Sequence, residues 1–182
     1  MSYPRNIEDI LGRFPLMPLG AGVADLSVAG ALEDAMLERL FGGALIRNKT
    51  SARLCQAGLW LLAGHLDACH AIAQPVGSCD AMYWHAMVHR REGDFANSRY
   101  WFGRVGEHGI FPALLAEARV IAGSDPAVRT LVAAPLWNPE EFSACCERAA
   151  AAPGAGEMCR RIQQAEWRLL FDWCYKKATE DL

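Results

Sequence analysis

Gly64 and Gly93 stand 29 residues apart, and each breaks an apolar helical pattern that resumes within two residues. Shifted by that interval, Ala57 falls on Ala86, Trp60 on His89, Leu66 on Phe95, and Cys69 on Ser98. Each match has a mechanical reason. Small residues at Ala57 and Ala86 let two antiparallel helices approach closely, and the glycines permit the left-handed turn between them. Leu66 and Phe95 open the returning helix facing inward, while Cys69 and Ser98 are small where the partner helix crosses. No segment shows the period-two alternation of a strand. The pattern therefore predicts an all-α fold in which two hairpins, 49–74 and 81–105, lie side by side.

Start and stop signals place seven to eight helices along one domain, 1–182. They fall at about 26–41, 49–63, 66–74, 81–92, 95–105, 112–121, 139–152 and 157–179. Residues 1–22, with Pro4, Pro15, Pro18, Gly20 and Gly22, read as an irregular arm laid over the domain. Residues 123–136 read as loop, with room for one turn after Asp125-Pro126. The strongest start is at Asn138, a cap followed by Pro139 at the first helical position and Glu141 in a capping-box pattern. Trp137 and Phe142 stand at the two positions of a hydrophobic staple. That helix is expected to stop at Pro153-Gly154. The long last helix places Met158, Ile162, Ala165, Leu169 and Trp173 on one stripe, widened by Leu170 and Cys174, which calls for docking on the rest of the chain.

Composition bounds the function classes. Of 182 residues, 52% are hydrophobic and 21% charged, too apolar for a disordered chain. Eighteen Lys and Arg against 21 Asp and Glu leave a net charge of −3, which argues against nucleic acid as a partner. The longest apolar run, 57–64, stops at His65, far short of a membrane helix, and no helix has the basic polar face of a membrane-surface binder. The opening residues carry acids where a secretory signal needs an apolar run. Seven cysteines, an odd number without a CxxC pair, are expected to be free thiols of a cytoplasmic protein. Gly20-Ala21-Gly22 is no dinucleotide fingerprint, since Asp25 stands where a third glycine is needed and no strand precedes it.

The order Ala86, His89, Gly93, Phe95, Ser98, Phe102 resembles the tetratricopeptide helical hairpin: small residue, large residue, glycine, aromatic, small, aromatic. The resemblance covers about 54–106 and implies stacked hairpins. It departs from that family in its inward histidine and in a spacing below the usual ~34 residues. The block Tyr83-Trp84-His85-Ala86-Met87-Val88-His89-Arg90-Arg91-Glu92-Gly93-Asp94-Phe95, followed by Tyr100-Trp101-Phe102, is also similar to a family of small proteins with a YWHAxxHRREGDF block. That resemblance implies no activity.

The chemistry concentrates in the same block. His85 and His89 are four apart and share a helical face, a spacing that suits two imidazoles on one divalent metal. The intervening Ala86, Met87 and Val88 build in no general base, so this is not HExxH. A third ligand must come from elsewhere, with His70, His65, Asp67 and Asp94 as candidates. Acid–base work by His85, His89 and Asp94 is a second reading, and hydrogen bonding of both rings across the helix pair is a third. Arg90 and Arg91, with Arg99 and Arg104, are either holders of a small anionic ligand, partners of nearby acids, or caps on helix carbonyls. Tyr83, Trp84 and Trp101 either line a groove or fill the core. Two function classes follow: a helical domain that binds a protein or a small anionic ligand, or a small metal-dependent or acid–base enzyme built on His85 and His89. An enzyme should bring a further histidine or acid to the pair at an open site. A binding module should bury the pair and expose a groove of aromatics and arginines.

Overall fold

The computed structural model describes residues 2–33, 37–152 and 156–180, and all regular structure among them is helical. Eleven α-helices run as α1 (Arg5–Leu11), α2 (Ala29–Leu32), α3 (Leu37–Leu40), α4 (Lys49–Leu62), α5 (Leu66–Ala73), α6 (Cys79–Glu92), α7 (Phe95–Val105), α8 (Phe111–Ala122), α9 (Arg129–Ala133), α10 (Pro139–Ala150) and α11 (Glu157–Thr179). The count exceeds seven to eight for three local reasons. The N-terminal arm is not wholly irregular: Arg5–Leu11 winds into a helix that buries Ile7 and Ile10. The single helix expected at 26–41 is a 3-10 turn, Leu26–Val28, then α2, with Glu33 extended, and then α3; residues 34–36 of that expected helix lie outside the described residues, as does the stop at Pro153-Gly154. The loop 123–136 contains the short helix α9.

The glycine turns are the same in detail. At the first, the Gly64 N–H donates to Leu61 O and the His65 N–H to Trp60 O; at the second, Gly93 donates to Arg90 O and Asp94 to His89 O. Both glycines have φ +83°, so each turn is a Schellman closure in which the left-handed residue ends one helix and the next begins at once. The turns join α4 to α5 and α6 to α7, and α5 packs on α6 between the two hairpins. Asn48, Ser78, Asp94 and Asn138 cap α4, α6, α7 and α10 through side-chain oxygens. At α10 the Trp137 and Phe142 rings meet with centroids 5.2 Å apart, as a staple requires. The Glu141 carboxylate does not reach back to the cap; it accepts from Arg148 at 3.0 Å instead.

Small residues on α4 let large ones close over its backbone. A Cβ at Gly58 would lie 2.8 Å from the Trp84 ring and 3.3 Å from Phe171, and the Trp167 indole N–H donates to Gly58 O at 2.8 Å. Two apolar clusters result. One joins α1, α4–α7 and the C-terminal half of α11; the other joins α8–α10 and the start of α11. The last helix docks as expected, with Ile162, Ala165, Leu170 and Cys174 buried and Met158 and Leu169 half-buried, but its buried face is wider than the stripe read from sequence. Trp173 is 36% exposed, while Gln163, Glu166, Trp167 and Phe171 are buried. The reason is polar: the core facing α11 contains an arginine, and the helix brings Glu166 to it.

Candidate metal centre

Three imidazoles converge where α5 meets α6. The helical spacing of His85 and His89 puts both rings on the side of α6 that faces α5, and His70 comes from the last turn of α5. His85 Nε2 lies 2.8 Å from His70 Nε2 and 2.9 Å from His89 Nε2. One ring nitrogen from each of the three histidines lies within 4.8 Å of those of the other two. His85 and His89 are buried, and His70 is half-buried, so the cluster meets solvent on the α5 side. Repeat geometry explains the slot: His89 occupies the position that Trp60 fills in the first hairpin, with 8% and 9% exposure respectively.

The protons on these rings can be counted. His89 Nδ1 lies 3.0 Å from Glu92 Oε2, and a carboxylate there calls for the proton on Nδ1. The neutral ring then presents its Nε2 lone pair to His85, and the Asn97 amide donates to that lone pair at 3.2 Å. His85 Nε2 faces two imidazole nitrogens at once yet carries at most one proton, which cannot serve both contacts well. A second proton on His89 or a cation among the three nitrogens closes the arrangement. Burial first, then His70 and His89, holds His85 down at about 4, so this ring is neutral and has a lone pair to offer. A divalent ion uses all three lone pairs. Bonds of about 2.0 Å to a tetrahedral zinc set ligand nitrogens roughly 3.3 Å apart, so the rings need only spread slightly. Glu92 already stands on the far nitrogen of His89, the outer partner that metal-bound histidines usually have. On α7, the Trp101 ring lies against His85, centroids 4.3 Å apart, and the Arg104 guanidinium sits over Trp101 at 5.6 Å.

The other sequence candidates go elsewhere. Asp94 caps α7 by accepting from the Asn97 N–H at 3.1 Å, so the acid beside the histidines is Glu92. His65 bonds the Asp25 carbonyl at 2.9 Å. Arg90, 0% exposed, points away from the histidines and pairs with Glu166. Tyr83 donates to the same carboxylate at 3.0 Å, Gln163 accepts from the Arg90 Nε at 3.3 Å, and the guanidinium stacks over Phe142 at 4.7 Å. Burial by itself would weaken the hold of Arg90 on its proton, but the Glu166 charge outweighs it. Arg91 is also buried, and it donates to carbonyls of Gly20, Ala21 and Leu61 at 2.7, 2.9 and 3.2 Å. Burial, then the neighbouring Arg90 charge, brings Arg91 down to about 10. Tyr83 and Trp84 are 0% exposed. Four of the five residues expected to hold a ligand thus fill the core, because the helix that carries them is enclosed by α4, α5, α7 and α11. Trp101 alone stands at the candidate site.

Sequence reasoning passed over Glu92 as a histidine partner, although its position three residues after His89 puts it on the same face. Nothing in the sequence marked Asn97 or Glu166. A second buried cluster also went unnoticed. Asp80 accepts from Trp173 Nε1 and His108 Nε2 at 3.0 Å each and from Lys177 at 2.6 Å. Burial pushes this carboxyl up, but those hydrogen bonds and the Lys177 charge outweigh it and hold it below the usual range. The second nitrogen of His108 accepts from the Ile110 N–H at 3.3 Å, so this His–Asp pair has both ends committed to the fold. Comparison with protein-family models, curated proteins and solved structures finds no match to this chain.

Proposed function

We propose that the protein is a helical domain that binds one divalent metal ion through His70, His85 and His89, and acts through that ion. The observation that carries this reading is the convergence of one ring nitrogen from each of three histidines within 4.8 Å, with His85 Nε2 facing both its neighbours. Neutral imidazoles of this kind suit zinc or a neighbouring first-row metal, and a three-histidine set leaves a coordination position for a further ligand, as catalytic sites do. His85 and His89 are buried, as a binding module requires, but Arg90, Arg91, Tyr83 and Trp84 are enclosed and form no exposed groove, and the third histidine at the pair favours the metal-dependent alternative. The matched turns at Gly64 and Gly93 support reading the two hairpins as tetratricopeptide-like, here used to build a site between hairpins. The free state of all seven cysteines supports a reducing, cytoplasmic setting. Among the described residues no helix is long and apolar enough to cross a membrane.

The test is to strip the purified protein with chelator and titrate it with Zn(II) and with Co(II). One equivalent should bind, with the intense visible bands of four-coordinate Co(II), and His85→Ala should abolish uptake while leaving helix content intact. No uptake by the folded wild type, or undiminished uptake by His85→Ala, overturns the reading.

A further inference from the structure

The three-histidine set leaves the fourth ligand unnamed, and α7 bears on what it is. We infer that the free position takes a small monodentate anion and that Asn97 is the positioning residue that holds it; this rests on the metal reading above. In the structure the Asn97 amide nitrogen lies 3.2 Å from His89 Nε2 and donates to its lone pair. An ion bound by His89 takes that same lone pair. The amide then loses its acceptor while staying within reach of the ion, and the nearest replacement is an electronegative atom on the ion itself. A ligand about 2.0 Å from the ion sits about 3.3 Å from His89 Nε2, so the amide, now 3.2 Å from that nitrogen, steps aside to admit it and stands next to it as a donor.

Charge selects the class. Three neutral imidazoles leave both positive charges of the ion uncompensated, and Glu92 is engaged on the outer nitrogen of His89 rather than on the ion's side. Arg104, stacked over the Trp101 ring that covers His85, adds a further positive charge nearby. The site therefore favours an anion over a neutral ligand. Its walls limit size: Trp101 closes one side and the buried His85 and His89 another, leaving the half-buried His70 edge as the approach. A carboxylate, bicarbonate or azide binding through one atom matches these conditions, with the Asn97 N–H as the donor that orients it.

The experiment uses the full chain loaded with one equivalent of Co(II), titrated with azide and separately with acetate, and read by the visible bands. Wild type should show a saturable spectral change with each anion. Asn97→Ala should bind Co(II) with similar bands yet weaken azide roughly 10- to 100-fold, the loss of a hydrogen bond to a charged group. Asn97→Asp should keep Co(II) and lose the azide response, because a carboxylate on α7 repels the anion or fills its position. Equal azide affinity in wild type and Asn97→Ala overturns the inference while the metal reading stands. A Co(II) spectrum unmoved by either anion in the wild type does the same. Failure of the wild type to take up Co(II) removes both.

Discussion

Two of the buried polar clusters on helix α6 are built on opposite terms. On the side facing α11, Arg90, Glu166, Tyr83 and Gln163 form a set in which the donors and acceptors engage one another, with an aromatic ring on the guanidinium face. On the side facing α5, His70, His85 and His89 bring three nitrogens together around too few protons. Buried polar groups are normally paired, and a closed set such as the first acts to fix how helices dock. A set that closes only on acquiring something from outside is where a ligand belongs. The two lie within one stretch of eight residues, so residue type and burial alone do not separate architecture from function; the count of donors and acceptors does.

Breaking the closed set should have the largest effect. Arg90→Met leaves Glu166 as an uncompensated buried carboxylate and should cost about 3–5 kcal/mol in chemical denaturation. Replacing both partners with apolar residues of similar volume should recover much of that loss, and neither change should alter the stoichiometry of metal uptake. On the open side, Glu92→Gln should leave the fold intact and weaken Zn(II) binding by about 10- to 100-fold, because the proton on His89 Nδ1 is no longer held by a charge. Competition with a chromophoric chelator measures this.

The glycine turns give a smaller contrast. Both positions are left-handed, so Gly93→Ala should cost about 1–2 kcal/mol, with nothing within 4 Å to meet the new methyl. Gly64→Ala should cost more, since its Cβ would come within 3.0 Å of Val23 O and 3.2 Å of Ala24 Cα. Paired thermal melts decide whether the arm, and not the turn alone, sets the difference. The smallest expected effect is that of pH on the metal-free protein. Unfolded, His85 takes a proton near its ordinary 6.5; folded, it refuses one until about 4. Stability from this group is therefore complete above 6.5 and is lost as pH falls towards 4, at most about 1 kcal/mol between pH 7 and 5.5. His85→Ala should flatten that dependence in urea melts.

How much of this was legible beforehand depends on range along the chain. Turns, caps and helix faces are local, and the starts at Asn48, Ser78, Asp94 and Asn138 could be read from a few residues each. The pairing of His85 with His89 is also local, one helical turn. His70 was one of four candidates for a third ligand, with His65, Asp67 and Asp94, and only the packing of α5 on α6 singles it out. By contrast, the partners of Arg90 lie more than 70 residues away on α11, and those of Arg91 lie on α4 and, 70 residues or more away, in the N-terminal arm. No spacing rule links such positions. Reading Arg90 and Arg91 as holders of an anion or partners of nearby acids looked only to residues close in sequence, and it failed because the same helix is enclosed on several sides. The extra buried width of α11, with Gln163 and Glu166 inside, was not legible for the same cause: a stripe of apolar residues does not reveal that the opposing wall holds a guanidinium.

Arg91 also bears on the order in which the molecule assembles. Its guanidinium is met by main-chain oxygens, two of them on Gly20 and Ala21, segments that have no sheet or long helix of their own. Those oxygens have a place to go only once α6 exists and has packed on α4. We expect the arm to wrap after the hairpins have formed, in keeping with the entropic cost of closing so long a stretch of chain. The reverse motion is the mildest opening of the molecule, because water can solvate both the released guanidinium and the released carbonyls. Amide protons of residues 16–25 should accordingly exchange by a local route, ahead of those in α4 and α6, with the body of the helices still folded.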